Sequence, residues 1–152
     1  MTFRIAIVTD DRGWHGARLR RALRARGADV RIMSLRDCRI DLTYGRDGLF
    51  LPGFEKRLPD GVFVRGIAGG TLEQIVLRLD VLHALRELDV PVYNDARAIE
   101  RTVDKGMTSL LLDRAGLVTP PTCVTESAAM ARAFLLRETA AGHRRRACCT
   151  PW

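Results

Sequence analysis

The sequence has no run of 18 apolar residues, so no transmembrane helix is expected. Its four cysteines, Cys38, Cys123, Cys148 and Cys149, form no C-x-x-C pair, and His15, His83 and His143 are scattered. A zinc site therefore has no support, and reduced cysteines fit a cytoplasmic protein. No aromatic residues are interleaved with the basic ones, which argues against a platform for stacking single-stranded bases. The first turn, D-D-R-G-W-H-G, lacks the G-x-G-x-x-G pattern, so the dinucleotide fingerprint is absent. The chain opens directly into Phe3-Arg4-Ile5-Ala6-Ile7-Val8, a strand pattern rather than a signal peptide, and the expected compartment is the cytoplasm.

What is present is ordinary for a globular protein. Of 152 residues, 47% are apolar and 28% charged, and this length supports one core, or one domain plus a piece of another. The net charge of +7 is uneven. Arg144, Arg145 and Arg146 form one cluster, and Arg18, Arg20, Arg21, Arg24 and Arg26 another. A basic balance admits nucleic-acid binding. An arginine-rich composition with no such partner is the reading preferred here.

The chain in order predicts a βαβ unit. Residues 3–8 read as a buried strand, Trp14 to Arg26 as a helix stopped by Gly27, and Asp29 to Met33 as a second strand. That order implies a parallel sheet. The helix has a thin apolar face of Trp14, Ala17, Leu19 and Leu23. Arg39 to Leu42 and Gly48 to Leu51 read as short strands joined by a hairpin turn at Tyr44–Gly48. Val62-Phe63-Val64 is a third buried strand, and it ends in Arg65-Gly66. A charged residue at that end is a candidate for the cleft where open α/β sheets gather ligands. Thr71 with Gln74 forms a capping box, and Leu72, Ile75, Val76, Leu79, Leu82, Leu85 and Leu88 follow the helical period. Val90 to Tyr93 is a short strand, and Asn94 turns the chain.

The stretch Asn94 to Thr122 reads as a short loop, a helix, a glycine stop and a proline-locked turn. Asp104 is placed to cap the helix, and Met107, Leu110, Leu111 and Ala115 share one face. Gly116 suits a left-handed stop, and Pro120 and Pro121 force extended chain. Lys105 lies in the first turn, where a cation beside helix N–H groups suits a phosphate, or is simply solvated. A last helix runs from Ser127 to about Ala141, with Met130 and Phe134 inward and Gly142 as its stop.

Asn94, Asp104-Lys105, the leucine-rich turn, Ala115-Gly116-Leu117 and Pro120-Pro121-Thr122 together resemble the junction of ATP-grasp ligases. The resemblance is nearest to the RimK-type ligases, which join glutamate to a carboxylate using ATP. It covers residues 3–142. It implies a Rossmann-like, pre-ATP-grasp parallel-sheet α/β domain over 1–94, then the first helices of an ATP-grasp domain over 95–142. It also implies ATP and magnesium as cofactors of the full-length enzyme, and glutamate and a cofactor or protein carboxylate as its reactants. Lys105 would reach nucleotide phosphate, and Arg65 a substrate carboxylate or phosphate. The family's next strand with its lysine, its glycine-rich loop and its metal ligands do not follow. The tail, HRRRACCTPW at 143–152, reads as out of frame or truncated. The expectation is that this chain alone catalyses nothing and binds no ATP tightly. Leu110, Leu111 and Phe134 are expected to be partly exposed, which favours association between copies. The alternatives are a non-catalytic α/β binding module, such as a receiver-like domain using Asp10-Asp11, and a small basic nucleic-acid binder. Arg65 stands where a receiver needs Asp, and that counts against the first alternative.

Overall fold

The run Ile5-Ala6-Ile7-Val8 sets the architecture, because Ala6, Ile7 and Val8 are completely buried and need neighbours on both sides. In the computed structural model, which describes residues 2–11, 13–43, 45 and 47–142 and the backbone of 148–151, the chain divides into two compact units. They are Met1–Ala96 and Arg97–Trp152.

The first unit comprises β1 (Arg4–Val8), α1 (Trp14–Arg24), β2 (Asp29–Met33), a short 3-10 turn (Leu35–Asp37), β3 (Arg39–Ile40), β4 (Leu49–Phe50), β5 (Gly61–Val64), α2 (Leu72–Glu87) and β6 (Val92–Tyr93). Its four-stranded sheet has the order β2-β1-β5-β6, and every pairing is parallel. Arg4 stands opposite Asp29, Ile5 opposite Gly61, and Phe63 opposite Tyr93. The last pair stacks its rings at 4.8 Å. The chain steps from β1 outward to β2, then returns to β5 on the other flank, so the winding reverses between β1 and β5. Right-handed crossovers place α1 and α2 on opposite faces of such a sheet. β3 and β4 form the expected antiparallel hairpin, with Arg39 opposite Phe50. Tyr44 and Arg46 of its turn lie outside the described residues.

Three expectations change in this unit. α1 ends at Arg24, and its only buried residue is Gly16. Trp14 is 64% exposed, with the Arg18 guanidinium over its ring, rather than inward. The helix comes close at its first turn instead, where a Cβ on Gly16 would lie 3.2 Å from Asp11 O. In α2 the capping box is present as read, but the buried face is Arg78, Leu79, Val81, Leu82 and Leu85. Leu72, Val76 and Leu88 are exposed. Apolar residues surround most of this helix, so its sequence leaves the buried side open, and packing selects the stripe through Leu82.

α3 (Ala96–Val103) starts on the last residue of the first unit, and the second unit holds the rest of it with α4 (Lys105–Arg114), β7 (Thr122–Thr125), α5 (Ala128–Ala140) and β8 (Cys148–Pro151). The loop expected before α4 is a helix. Asp104 N–H donates to Glu100 O at 3.1 Å, closing α3, while Asp104 Oδ1 accepts from Met107 N–H at 2.8 Å, opening α4. Gly116 (φ +74) adopts the left-handed conformation read for it, and Gly142 (φ +86), read as a stop, does the same. Ser127 Oγ caps α5 by accepting from Met130 N–H. Leu110 and Leu111 are exposed as expected, whereas Phe134 is buried beneath the Arg137 guanidinium and Met130 is exposed. The backbone of β8 pairs in parallel with β7, Thr122 opposite Cys148, where no strand was expected. Strand pairing is made by main-chain groups, so a segment without an apolar run can supply one. The arginine cluster 144–146 lies outside the described residues.

Candidate functional site

An all-parallel sheet brings the carboxyl ends of its strands to one edge. Here that edge carries Thr9 and Asp10 after β1, Ser34 after β2, Arg65 after β5 and Asn94 after β6. Each is held by identifiable bonds. Thr9 is buried, and its N–H donates to Met33 O at 3.1 Å. Its hydroxyl accepts from Asp11 N–H at 3.1 Å and donates to Asp11 O at 3.0 Å. Asp11 Oδ1 in turn accepts from Gly13 N–H at 2.7 Å. Ser34 Oγ donates to Asp10 Oδ1 at 2.6 Å, and Arg36 Nε lies 4.0 Å from the same oxygen. Both carboxylates of the Asp10-Asp11 pair are thus engaged in the turn.

Arg65 sits at the switch point. Its N–H donates to Val8 O at 2.9 Å and the Gly66 N–H to the same oxygen at 3.4 Å, tying the β5 end to the β1 end. Its side chain is exposed. Asn94 has φ +53, and its Nδ2 donates to Val64 O at 2.9 Å, so it satisfies a carbonyl of β5 as the chain turns. That is the structural role read for it.

A cavity of about 480 Å³ opens beside this edge, lined by Leu35, Arg36, Cys38, Gln74, Leu77 and Arg78. Arg78 is buried within α2, and its Nη1 donates to Ala68 O at 2.7 Å and Gly69 O at 3.1 Å. Arg36 Nη2 donates to Gly69 O at 3.4 Å from the other side. The two arginines therefore fix the Gly66–Gly70 loop that follows Arg65. Gly70 permits this approach, since a Cβ there would lie 3.0 Å from Arg78 Nη1. Burial, and secondarily the Asp37 charge, push the Cys38 thiol up to about 12. It stays neutral, donates to Ser34 O at 3.4 Å, and is no nucleophile. Sequence reasoning missed Arg78. Its spacing with Leu82 and Leu85, i, i+4 and i+7, places a cation on the core stripe, and that was the available signal.

Lys105 belongs to the second unit. It is exposed as the first residue of α4, and its Nζ donates to Thr102 O, near the end of α3. Arg65 and Lys105 thus lie in different compact units. The Lys105 turn adjoins Gly106, where a Cβ would meet Val124 Cγ2 at 2.8 Å, so glycine lets α4 lie close on β7.

The family described as the RimK PreATP-grasp domain matches residues 3–99. The chain belongs to the RimK PreATP-grasp domain family. The matched residues contain the whole sheet of the first unit. Solved structures agree on the fold of this RimK-type chain. It is similar to the ATP-grasp ligase PsnB complexed with a precursor peptide, PsnA2, and AMPPNP, with a TM-score of 0.59 and 23% identity. It is also similar to PsnB with a minimal precursor (TM-score 0.62, 22% identity) and to PsnB with a minimal precursor, Mg and ADP (0.61, 21%). At these identities the likeness is one of fold. The alignments cover 88–90% of this chain and 50% of PsnB, so the RimK-type chain spans about half the length of these proteins. No curated protein matches it by sequence.

Proposed function

We propose that this chain is the amino-terminal part of an ATP-dependent carboxylate–amine ligase that adds L-glutamate to a carboxylate of a cofactor or protein through an acylphosphate. The RimK PreATP-grasp match over residues 3–99 carries this reading. In that reaction class a carboxylate takes the terminal phosphoryl group of ATP and ADP departs. The amine of glutamate then attacks the acyl carbon, and phosphate leaves. PsnB was solved with AMPPNP, with ADP and Mg, and with precursor peptide, which supports ATP and a peptide acceptor for the complete enzyme. On this reading residues 1–94 are the pre-ATP-grasp domain and 95–142 open the ATP-grasp domain. The division between Ala96 and Arg97 supports that boundary.

Magnesium does not fit the residues present. Among the described residues no three acidic, histidine or cysteine side chains group to hold a metal ion, so no step is assigned through one. What this portion contributes is binding and orientation. Arg65 offers an exposed guanidinium at the switch point for an acceptor carboxylate, a geometry arginine matches with two parallel bonds. Lys105 is the candidate for nucleotide phosphate. Alone it supplies one charge, already directed at Thr102 O, which is too little to hold ATP tightly.

The test is amide chemical-shift mapping of this chain with N-acetylglutamate as the carboxylate probe. The expected result is perturbation of Thr9, Arg65 and Gly66, abolished by Arg65→Ala. Shifts that survive Arg65→Ala remove Arg65 from the site. A parallel calorimetric titration with ATP is expected to show no saturation at physiological concentration, and micromolar affinity would refute the assignment of the clamp to the remainder of the enzyme.

A further inference from the structure

β2 is the outermost strand on its side of the sheet, and no strand among the described residues pairs with its outer edge. Asp29 N–H donates to Phe3 O at 2.8 Å, and Met33 O accepts from Thr9 N–H at 3.1 Å. Residues 29, 31 and 33 therefore turn their main-chain groups toward β1. Alternation along a strand turns those of Val30 and Ile32 outward. Arg24 Nη2 reaches Val30 O at 3.3 Å on this edge.

A cavity of about 670 Å³ opens there, between α1 and the Pro52-Gly53 turn, with Arg20, Arg24, Arg31 and Ile32 in its walls. Gly53 (φ +83) makes room for the Arg31 stem, since a Cβ there would come within 2.9 Å of Arg31 Cδ. Nearby, Glu55 opposes Arg31, but its Oε1 is already engaged, accepting from Gly53 N–H at 2.7 Å. The site thus combines three exposed guanidinium groups with the outward main-chain groups of Val30 and Ile32, of which Val30 O accepts from Arg24.

We infer that the outer edge of β2 docks an extended acidic peptide segment of a partner, added as a further strand and held by Arg20, Arg24 and Arg31. The open main-chain groups call for a peptide backbone, as in strand addition at a sheet edge. The arginines select carboxylate side chains on it. A nucleic-acid strand would leave the N–H and C=O of Ile32 unmatched, and among the described residues no aromatic ring lines the cavity to stack a base. This surface lies on the flank of the sheet and owes nothing to Arg65.

The experiment uses this chain and a fluorescently labelled short peptide of alternating glutamate and valine, read by anisotropy. Saturable binding that weakens with salt is expected, and Arg20→Glu with Arg31→Glu weakens it by about tenfold or more. Both side chains are exposed, so the variant's thermal melt is expected to be unchanged. Two versions of the peptide, N-methylated on alternate amides in the two opposite phases, need no variant at all. Only one row of amides faces the edge, so one phase loses binding and the other keeps it. Equal behaviour of the two phases, indifference to the arginine changes, or absence of saturation overturns the inference. Displacement of the peptide by a tighter-binding single-stranded oligonucleotide also overturns it, in favour of nucleic acid.

Discussion

Arg78 shows how one side chain governs a loop. It is 6% exposed, and its guanidinium meets the carbonyls of Ala68 and Gly69. A buried cation is tolerated when its donors are matched, and here the matching also holds the segment that leads away from Arg65. Arg78→Leu keeps the apolar stem and removes the donors, stranding the Ala68 carbonyl and leaving Gly69 O to Arg36. It is expected to lower the unfolding free energy by about 2 kcal/mol in chemical denaturation and to speed amide exchange across Gly66–Gly70. Unchanged exchange in that loop, whatever the stability, would show that the loop is held by other means. The residue escaped the sequence reading because a charge inside an apolar stripe looks the same as one on a solvated face until its partners are seen. Both partners are main-chain oxygens, which have no signature in sequence.

Among the elements, the pair α3 and α4 turns on Asp104, which serves as the end of one helix and the start of the next. Asp104→Ala removes the cap of α4 and is expected to cost about 1 kcal/mol, whereas Asp104→Asn retains most of it. Amide exchange of Met107 and Thr108 reads the difference directly, and equal protection in both variants would deny the cap its role. Elements of this kind were legible wherever their signals were local. The Thr71–Gln74 capping box, the Gly116 and Gly142 stops and the continuous apolar run of β1 all stand in the structure. α3 was not legible, since it is only eight residues long and carries Arg97, Glu100 and Arg101 among its few apolar positions. The exposure of Leu72 and Val76 was not legible either, because a helix that is apolar around most of its girth does not declare which side packs. For the candidate site, Arg65 at the end of β5 was readable from strand order. The cavity beside it depends on the approach of the Leu35–Asp37 turn to α2, a contact between residues distant in sequence.

For the whole molecule, the largest buried side chains of the first unit, among them Ile7, Val30, Val64, Leu82 and Leu85, all lie within the family-matched residues 3–99. Residues 1–99 expressed alone are therefore expected to unfold in one cooperative transition by far-ultraviolet circular dichroism. A gradual loss of signal would mean that the unit needs the remainder of the chain to pack. The sheet order also has a consequence in time. β1 lies between β2 and β5, yet it leaves the ribosome before either of them, and the stretch from Val8 to its partner Val64 takes roughly 3–11 s to synthesise at ordinary elongation rates. During those seconds one flank of Ile5–Val8 has no neighbour. The central strand thus waits longest for its second neighbour, and it is the emergence of β5, not of β2, that closes both flanks of β1.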